Sequence, residues 1–206
     1  DRLHGTFQDA SDAATDPTHI AAYWQRHHPA FAAGIDGWWP DEGDWFDIES
    51  RFARARLYHD GPLSDRPDRR PWNLQRNGYL GVARYGGWIW SGDVESRWRA
   101  LAAQVPVGIN HSLSVSPYWG TDTGGFHPTP EFTGELFVRW FQFSAFCPSF
   151  RSHGRAWQLH LPWGWGTDQP GPLEGARPPA PGELPNAQVE PICRQYLELR
   201  YRLLPY

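Results

Sequence analysis

Two aspartates stand where the chain changes abruptly from apolar to polar. Asp41 ends the apolar run of Gly34-Ile35-Asp36-Gly37-Trp38-Trp39-Pro40-Asp41-Glu42-Gly43-Asp44-Trp45, where three acids fall within four residues. Asp93 ends a second such run, Gly87-Trp88-Ile89-Trp90-Ser91-Gly92-Asp93. An apolar strand closing in a carboxylate on a Gly-containing loop is how a (β/α)8 barrel carries reactive groups at its C-terminal face. Two carboxyl groups, one ionised and one protonated, are the equipment for breaking a bond at a sugar's anomeric carbon. The tryptophans just before each aspartate fit that chemistry, because indole faces cover the apolar faces of a sugar ring. Each residue also has a plainer use. Asp41 alone is an acidic surface turn, and Asp93 ahead of a helix is an N-cap.

The elements that would position these groups alternate. Asp16 before Pro17 is a predicted N-cap, with a helix over 18–28 and Ile20, Tyr23, Trp24 and His27 on one face. Pro29 is expected to end it, and a buried strand follows over 31–39. Residues 46–58 read as a helix whose Arg51, Arg54 and Arg56 form a solvated face. A loop rich in Gly, Pro, Asp and Arg covers 60–71. Short strands follow at 72–78 and 87–93, then a helix over 94–107 with Trp98, Leu101, Ala102 and Val105 at core spacing. Tyr118 to Phe126 passes again from aromatic to Gly and Asp. Thr133 caps a predicted helix over 134–143 with Phe137, Trp140 and Phe141 inward. Ala145 to Phe150 leads into Arg151-Ser152-His153-Gly154. A Pro/Gly-rich connection runs from 165 to 185, and a helix over 187–204 closes the chain.

Strand and helix in alternation give an α/β protein with a parallel sheet. Each predicted strand ends in polar sequence carrying a charge: Asp41, Arg76, Asp93, Asp122, then Arg151 with His153. Five strand ends with chemistry on one side fit a partial (β/α)8 barrel, about five βα units of the eight that close one. Two open sheet edges would remain. Asp122, in Gly-Thr-Asp-Thr-Gly-Gly, also suits a plain turn. Arg151 and His153 equally suit pairing with core carboxylates. The Gly-rich stretch 120–125 lacks the spacing and the Lys of a phosphate cradle, which sets aside a nucleotide-binding domain.

Composition narrows the class. The 206 residues suffice for one domain of ordinary size. Aromatics make up 16% of the chain, with 13 Trp, more than a core of this length needs, so many rings are expected to line a cleft. The net charge is -4 and no basic run occurs, so nothing points to nucleic acid. Cys147 and Cys193 share no metal-ligand spacing and imply neither a disulfide framework nor a zinc site. No stretch reaches the roughly 18 apolar residues of a membrane span. The chain has no Met, which suggests a piece of something longer.

These motifs together resemble glycoside hydrolase family 31, the retaining α-glycosidases, over nearly the whole chain. Asp-Gly-Trp-Trp-Pro-Asp (36–41) is similar to the family's nucleophile strand. Arg76-Asn77-Gly78, Arg84-Tyr85-Gly86 and Trp90-Ser91-Gly92-Asp93 resemble its acid/base block, and Trp119-Gly120-Thr121-Asp122-Thr123-Gly124-Gly125-Phe126 the next. Arg139-Trp140-Phe141-Gln142, Ala145-Phe146-Cys147-Pro148 and Arg151-Ser152-His153-Gly154 match its helix and last strand, and residues 199–206 its terminal helix. The resemblance implies that Asp41 is the nucleophile and Asp93 the general acid/base. It further implies that Arg76, Asp122, Arg151 and His153 hold sugar hydroxyls, with Trp39, Trp90 and Phe126 shaping the pocket. Pro40 departs from the usual aliphatic residue, Asp44 from Glu and Asn77 from Ser. The family's N-terminal sandwich and first barrel strands are absent from this sequence.

Two functions are consistent with the residues. The first is hydrolysis of terminal α-glycosides, α-glucosides or α-xylosides, with retention and with no metal or organic cofactor implied. The second is a barrel piece that binds carbohydrate without turning it over. The intact pair Asp41 and Asp93 favours the first.

Overall fold

The computed structural model describes residues 17–41, 43–155, 160–166 and 176–206, with side chains from 21 onward. Asp16, the side chain of Ile20, Glu42 and residues 167–175 of the Pro/Gly-rich connection lie outside the described residues. The chain divides into two units, one of residues 1–90 with 112–118 and one of residues 91–111 with 119–206.

In the first unit, α1 (Pro17–Gln25) is followed directly by a short α2 (His28–Ala32). Pro29 therefore does not stop a helix as the sequence suggested; it opens the next one, where its missing N–H costs nothing. The strand expected over 31–39 shrinks accordingly to β1 (Gly37–Trp38). Side chains alternate along it. Trp38 turns to the core, edge-on to His27 at 4.9 Å and to Trp24 at 5.5 Å, and Trp39 turns the other way. The core of this unit is Tyr23, Trp24, Phe31, Leu57 and Tyr58.

Helix α3 (Ile48–Asp65) starts where Asp47 accepts a hydrogen bond from the Ser50 amide at 2.8 Å. It runs through Gly61 and Pro62 into what the sequence reads as a loop, because Gly61 lets the Trp24 indole lie where a β-carbon would stand. Trp24 Nε1 then donates to Asp65 at 2.7 Å, tying α1 to the end of α3. Next come β2 (Trp72–Gln75), a 3-10 turn (Val82–Tyr85) and β3 (Gly87–Trp90). β1, β2 and β3 are parallel neighbours in chain order, with Gly37 opposite Trp72 and Leu74 opposite Trp88.

The second unit holds most of α4 (Trp98–Ser114), then β4 (Trp119–Asp122), α5 (Gly134–Ser144), β5 (Ser149–Arg151), a 3-10 turn (Asn186–Gln188) and α6 (Val189–Leu203). β4 and β5 pair in parallel, Gly120 opposite Ser149 and Asp122 opposite Arg151. Gly120 is needed there, since a β-carbon would run into the Ser149 backbone. Thr133 caps α5, accepting from the Leu136 amide at 3.3 Å, and Phe137, Trp140 and Phe141 point inward. They form a core with Phe132, Leu136, Val138, Trp165, Val189 and Cys193. α4 departs from expectation. It begins four residues later, and Trp98, Ala102 and Val105 face outward while Gln104 and Gly108 are buried. Gly108 takes the inner face because the Trp119 ring occupies the space of its β-carbon, at 2.7 Å.

Candidate active site

The charged residues fall at or just after strand C-terminal ends: Asp41 after β1, Arg76 after β2, Asp93 after β3, Asp122 and Arg151 as the last residues of β4 and β5. In the first unit Arg76 joins two carboxylates. Its Nε lies 3.0 Å from Asp44 Oδ2 and its Nη1 lies 3.4 Å from Asp41 Oδ1. Asp44, a departure from the usual Glu, still reaches the arginine.

Asp41 and residues 43–46 are also held by arginines of α3. Arg54 on α3 is only 6% exposed and donates through Nη2 to the Asp41 carbonyl. Its guanidinium lies over the Phe46 ring, 5.6 Å from the centroid. Burial pushes the Arg54 pKa down, opposed by the charges of Tyr58, Asp41, Tyr23 and Asp44. Arg51 donates from Nη2 to the Asp44 carbonyl at 2.9 Å and from Nε to the Phe46 carbonyl at 2.8 Å. Reading Arg51, Arg54 and Arg56 as one solvated face is therefore wrong for Arg54, which is buried. Only Arg56 behaves that way, paired with Asp60 one turn on at 2.8 Å.

Trp39 and Trp90 pack edge to face, ring centroids 5.8 Å apart. Trp39 is 42% exposed, whereas Trp90, against which it packs, is 3% exposed.

In the second unit, Asp93 sits five residues ahead of α4, so it does not cap that helix; the Trp98 amide instead donates to Glu131 at 3.0 Å. The Asp93 segment is held by strand-like pairing with the turn after β4. The amides of Phe126 and His127 donate to the Val94 carbonyl at 2.7 and 3.1 Å, and the Ser96 amide donates to the His127 carbonyl at 2.8 Å. This approach needs Gly125, at φ +83°, because a β-carbon there would stand 2.7 Å from the Ser96 backbone. Asp122 is fully buried and lies 2.9 Å from Arg151 Nε. Phe126 and His153 stack at 5.2 Å. The structure thus brings together Asp122 with Arg151 and Phe126 with His153. Among the described residues no group of His, Cys, Asp and Glu could hold a metal ion, and no helix is long and apolar enough to cross a membrane.

Residues 5–206 match the model of the glycosyl hydrolases family 31 TIM-barrel domain. The chain belongs to glycosyl hydrolase family 31. Its parallel strands with alternating helices are accordingly part of a (β/α)8 barrel, as the strand-end pattern predicted. Among curated family 31 relatives, it is 40% identical over 136 residues to an alpha-xylosidase of Saccharolobus solfataricus, covering 65% of this chain and 16% of that protein. It is 34% identical over 217 residues to alpha-glucosidase 2 of Bacillus thermoamyloliquefaciens, covering 91% of this chain and 24% of that one. Among solved structures it is similar to a family 31 alpha-glucosidase from Bacteroides thetaiotaomicron, with a TM-score of 0.69 at 30% identity, over 94% of this chain and 31% of that chain. The chain therefore spans a quarter or less of the two curated relatives' length.

Proposed function

We propose that the protein carrying this chain hydrolyses terminal α-glycosidic bonds with retention, acting on α-xylosides or α-glucosides. The observation that carries this reading is Asp41 at the end of β1 beside the Arg76 guanidinium, 3.4 Å away. Family membership and relatives named alpha-xylosidase and alpha-glucosidase support the substrate class.

In this reading Asp41 attacks the anomeric carbon as the bond to the leaving oxygen breaks, and Asp93 gives that oxygen its proton. A covalent glycosyl ester on Asp41 results. Asp93, now a carboxylate, takes a proton from water as the water oxygen bonds to the anomeric carbon and the Asp41 ester breaks. Trp39 covers one face of the ring and Arg76, Asp122, Arg151 and His153 fix hydroxyls directly or by bracing one another.

The test is chemical rescue in the full-length protein with aryl α-xyloside and aryl α-glucoside substrates. Asp41→Ala should lose nearly all turnover, and added azide should form the β-glycosyl azide, because azide then attacks in place of the carboxylate. Asp93→Ala should keep the first step for an activated aryl leaving group, and azide should give the α-glycosyl azide by attacking the covalent intermediate. Near-normal hydrolysis of a poorly activated glycoside by either variant would remove that residue from its role. Exchanged azide configurations would reverse the two.

A further inference from the structure

We infer that Arg54 is a positioning residue for the nucleophile, holding the Asp41 main chain while Arg76 holds its carboxylate. The inference rests on Asp41 being the attacking group.

Three features carry it. First, the contact is direct: Arg54 Nη2 donates to the carbonyl of Asp41 itself. Long side chains on a helix lean toward its N-terminus. Asp47 caps α3 immediately after the loop, so Arg51 and Arg54 both lean back to the carbonyls of Asp41, Asp44 and Phe46. Second, the loop is shaped around the guanidinium. Gly43 adopts φ +80°, and a β-carbon there would run into Arg54 Nη1 and lie 2.9 Å from the Phe46 ring. A side chain at residue 43 would require the guanidinium and the Phe46 ring to shift. Third, the choice of residue is costly. Taking a cation out of water costs several kcal/mol unless it is matched by acceptors and opposite charge. An aliphatic side chain would fill this space without that cost, but it would leave the Asp41 carbonyl without the forked donor beneath it.

Among the described residues, the charged and titratable groups around Arg54 include Asp41 and Asp44 on the loop, Tyr58 on α3 and Tyr23 on α1. Arg76, from the end of β2, meets both of these carboxylates. Asp41 is thereby fixed at two points, main chain and side chain, by two arginines from different elements. Fixing the carboxylate matters because a misplacement of about 1 Å costs on the order of a hundredfold in rate.

The experiment compares Arg54→Met, Arg54→Lys and the control Arg56→Met in the full-length protein, with active sites counted by the burst of aryl alcohol. Arg54→Met should lower kcat per active site about a hundredfold while KM changes less than about threefold. Arg54→Lys, which keeps the charge and loses the fork, should fall in between, and Arg56→Met should match wild type. If Arg54→Met does not fold, Arg54→Lys decides: at least a tenfold loss in kcat at unchanged KM supports the assignment. Wild-type kcat in either Arg54 variant, a loss confined to KM, or an equal loss in Arg56→Met would overturn it. Azide rescue of Asp41→Ala separates the two readings. β-Glycosyl azide from Asp41→Ala with a normal Arg54→Met defeats only the role of Arg54, whereas an active Asp41→Ala removes the premise.

Discussion

His160 has no exposed surface, and its ring stacks on Phe132 at 4.7 Å. Its Nδ1 faces the Thr123 carbonyl at 3.3 Å, and a carbonyl only accepts, so Nδ1 carries the proton of a neutral ring. Burial, helped by the charge of His153, pushes the pKa down to about 4. Burial also lowers the pKa of His27, which meets the Tyr58 hydroxyl in the other core. For both residues the unfolded chain takes up a proton at higher pH than the folded one. Their contribution to stability is therefore complete above about pH 6.5 and is lost as pH falls through the lower folded value. For His160 the loss by pH 4 should approach about 3 kcal/mol. Urea unfolding at pH 7 and pH 4.5 should show His160→Gln losing less stability on acidification than wild type. An unchanged difference would mean that the ring is protonated without penalty. This histidine could not be picked out from sequence, because burial by Phe132 and the turn after β4 is a matter of tertiary packing.

At the scale of elements, the ends of β4 and β5 are locked by Asp122 and Arg151, which stand opposite each other in the register. Removing one partner from a buried pair leaves an uncompensated charge and costs about 3–5 kcal/mol, whereas replacing both with apolar groups can be close to neutral. Arg151→Met should therefore be strongly destabilised and Asp122→Leu/Arg151→Met much less so, as read from denaturant midpoints. Additive losses would show that the two do not act as a pair. The strand ends were legible in the sequence because apolar runs closing in Gly with a charge have few other uses. The helices were legible in position but not always in facing. α4 carries an apolar pattern, yet Gly108 rather than Val105 is inside, because only a glycine admits the Trp119 ring. The Pro29 boundary misled because proline both ends one helix and starts another. Arg54 was hidden because an arginine at helical spacing gives the same pattern whether its tip meets water or a carbonyl.

At the scale of the molecule, the chain divides into two units with a core each. The first core gathers round Trp24, Phe31 and Tyr58, with His27 among them; the second is larger and nearly all hydrocarbon and aromatic, from Phe132 to Cys193. Which core a residue joins depends on long-range packing that no local pattern reports. Opening free energy follows the apolar surface that must be exposed. The backbone amides of α1 and α3 should therefore exchange with deuterium before those of α5 and α6, measured by mass spectrometry at neutral pH. Simultaneous exchange would mean that the two cores melt as one. On gentle warming the loop bearing Asp41 should thus become open to a protease while the segment bearing Asp93 still resists it. The proposed activity would then disappear while most of the chain's far-ultraviolet signal stayed intact.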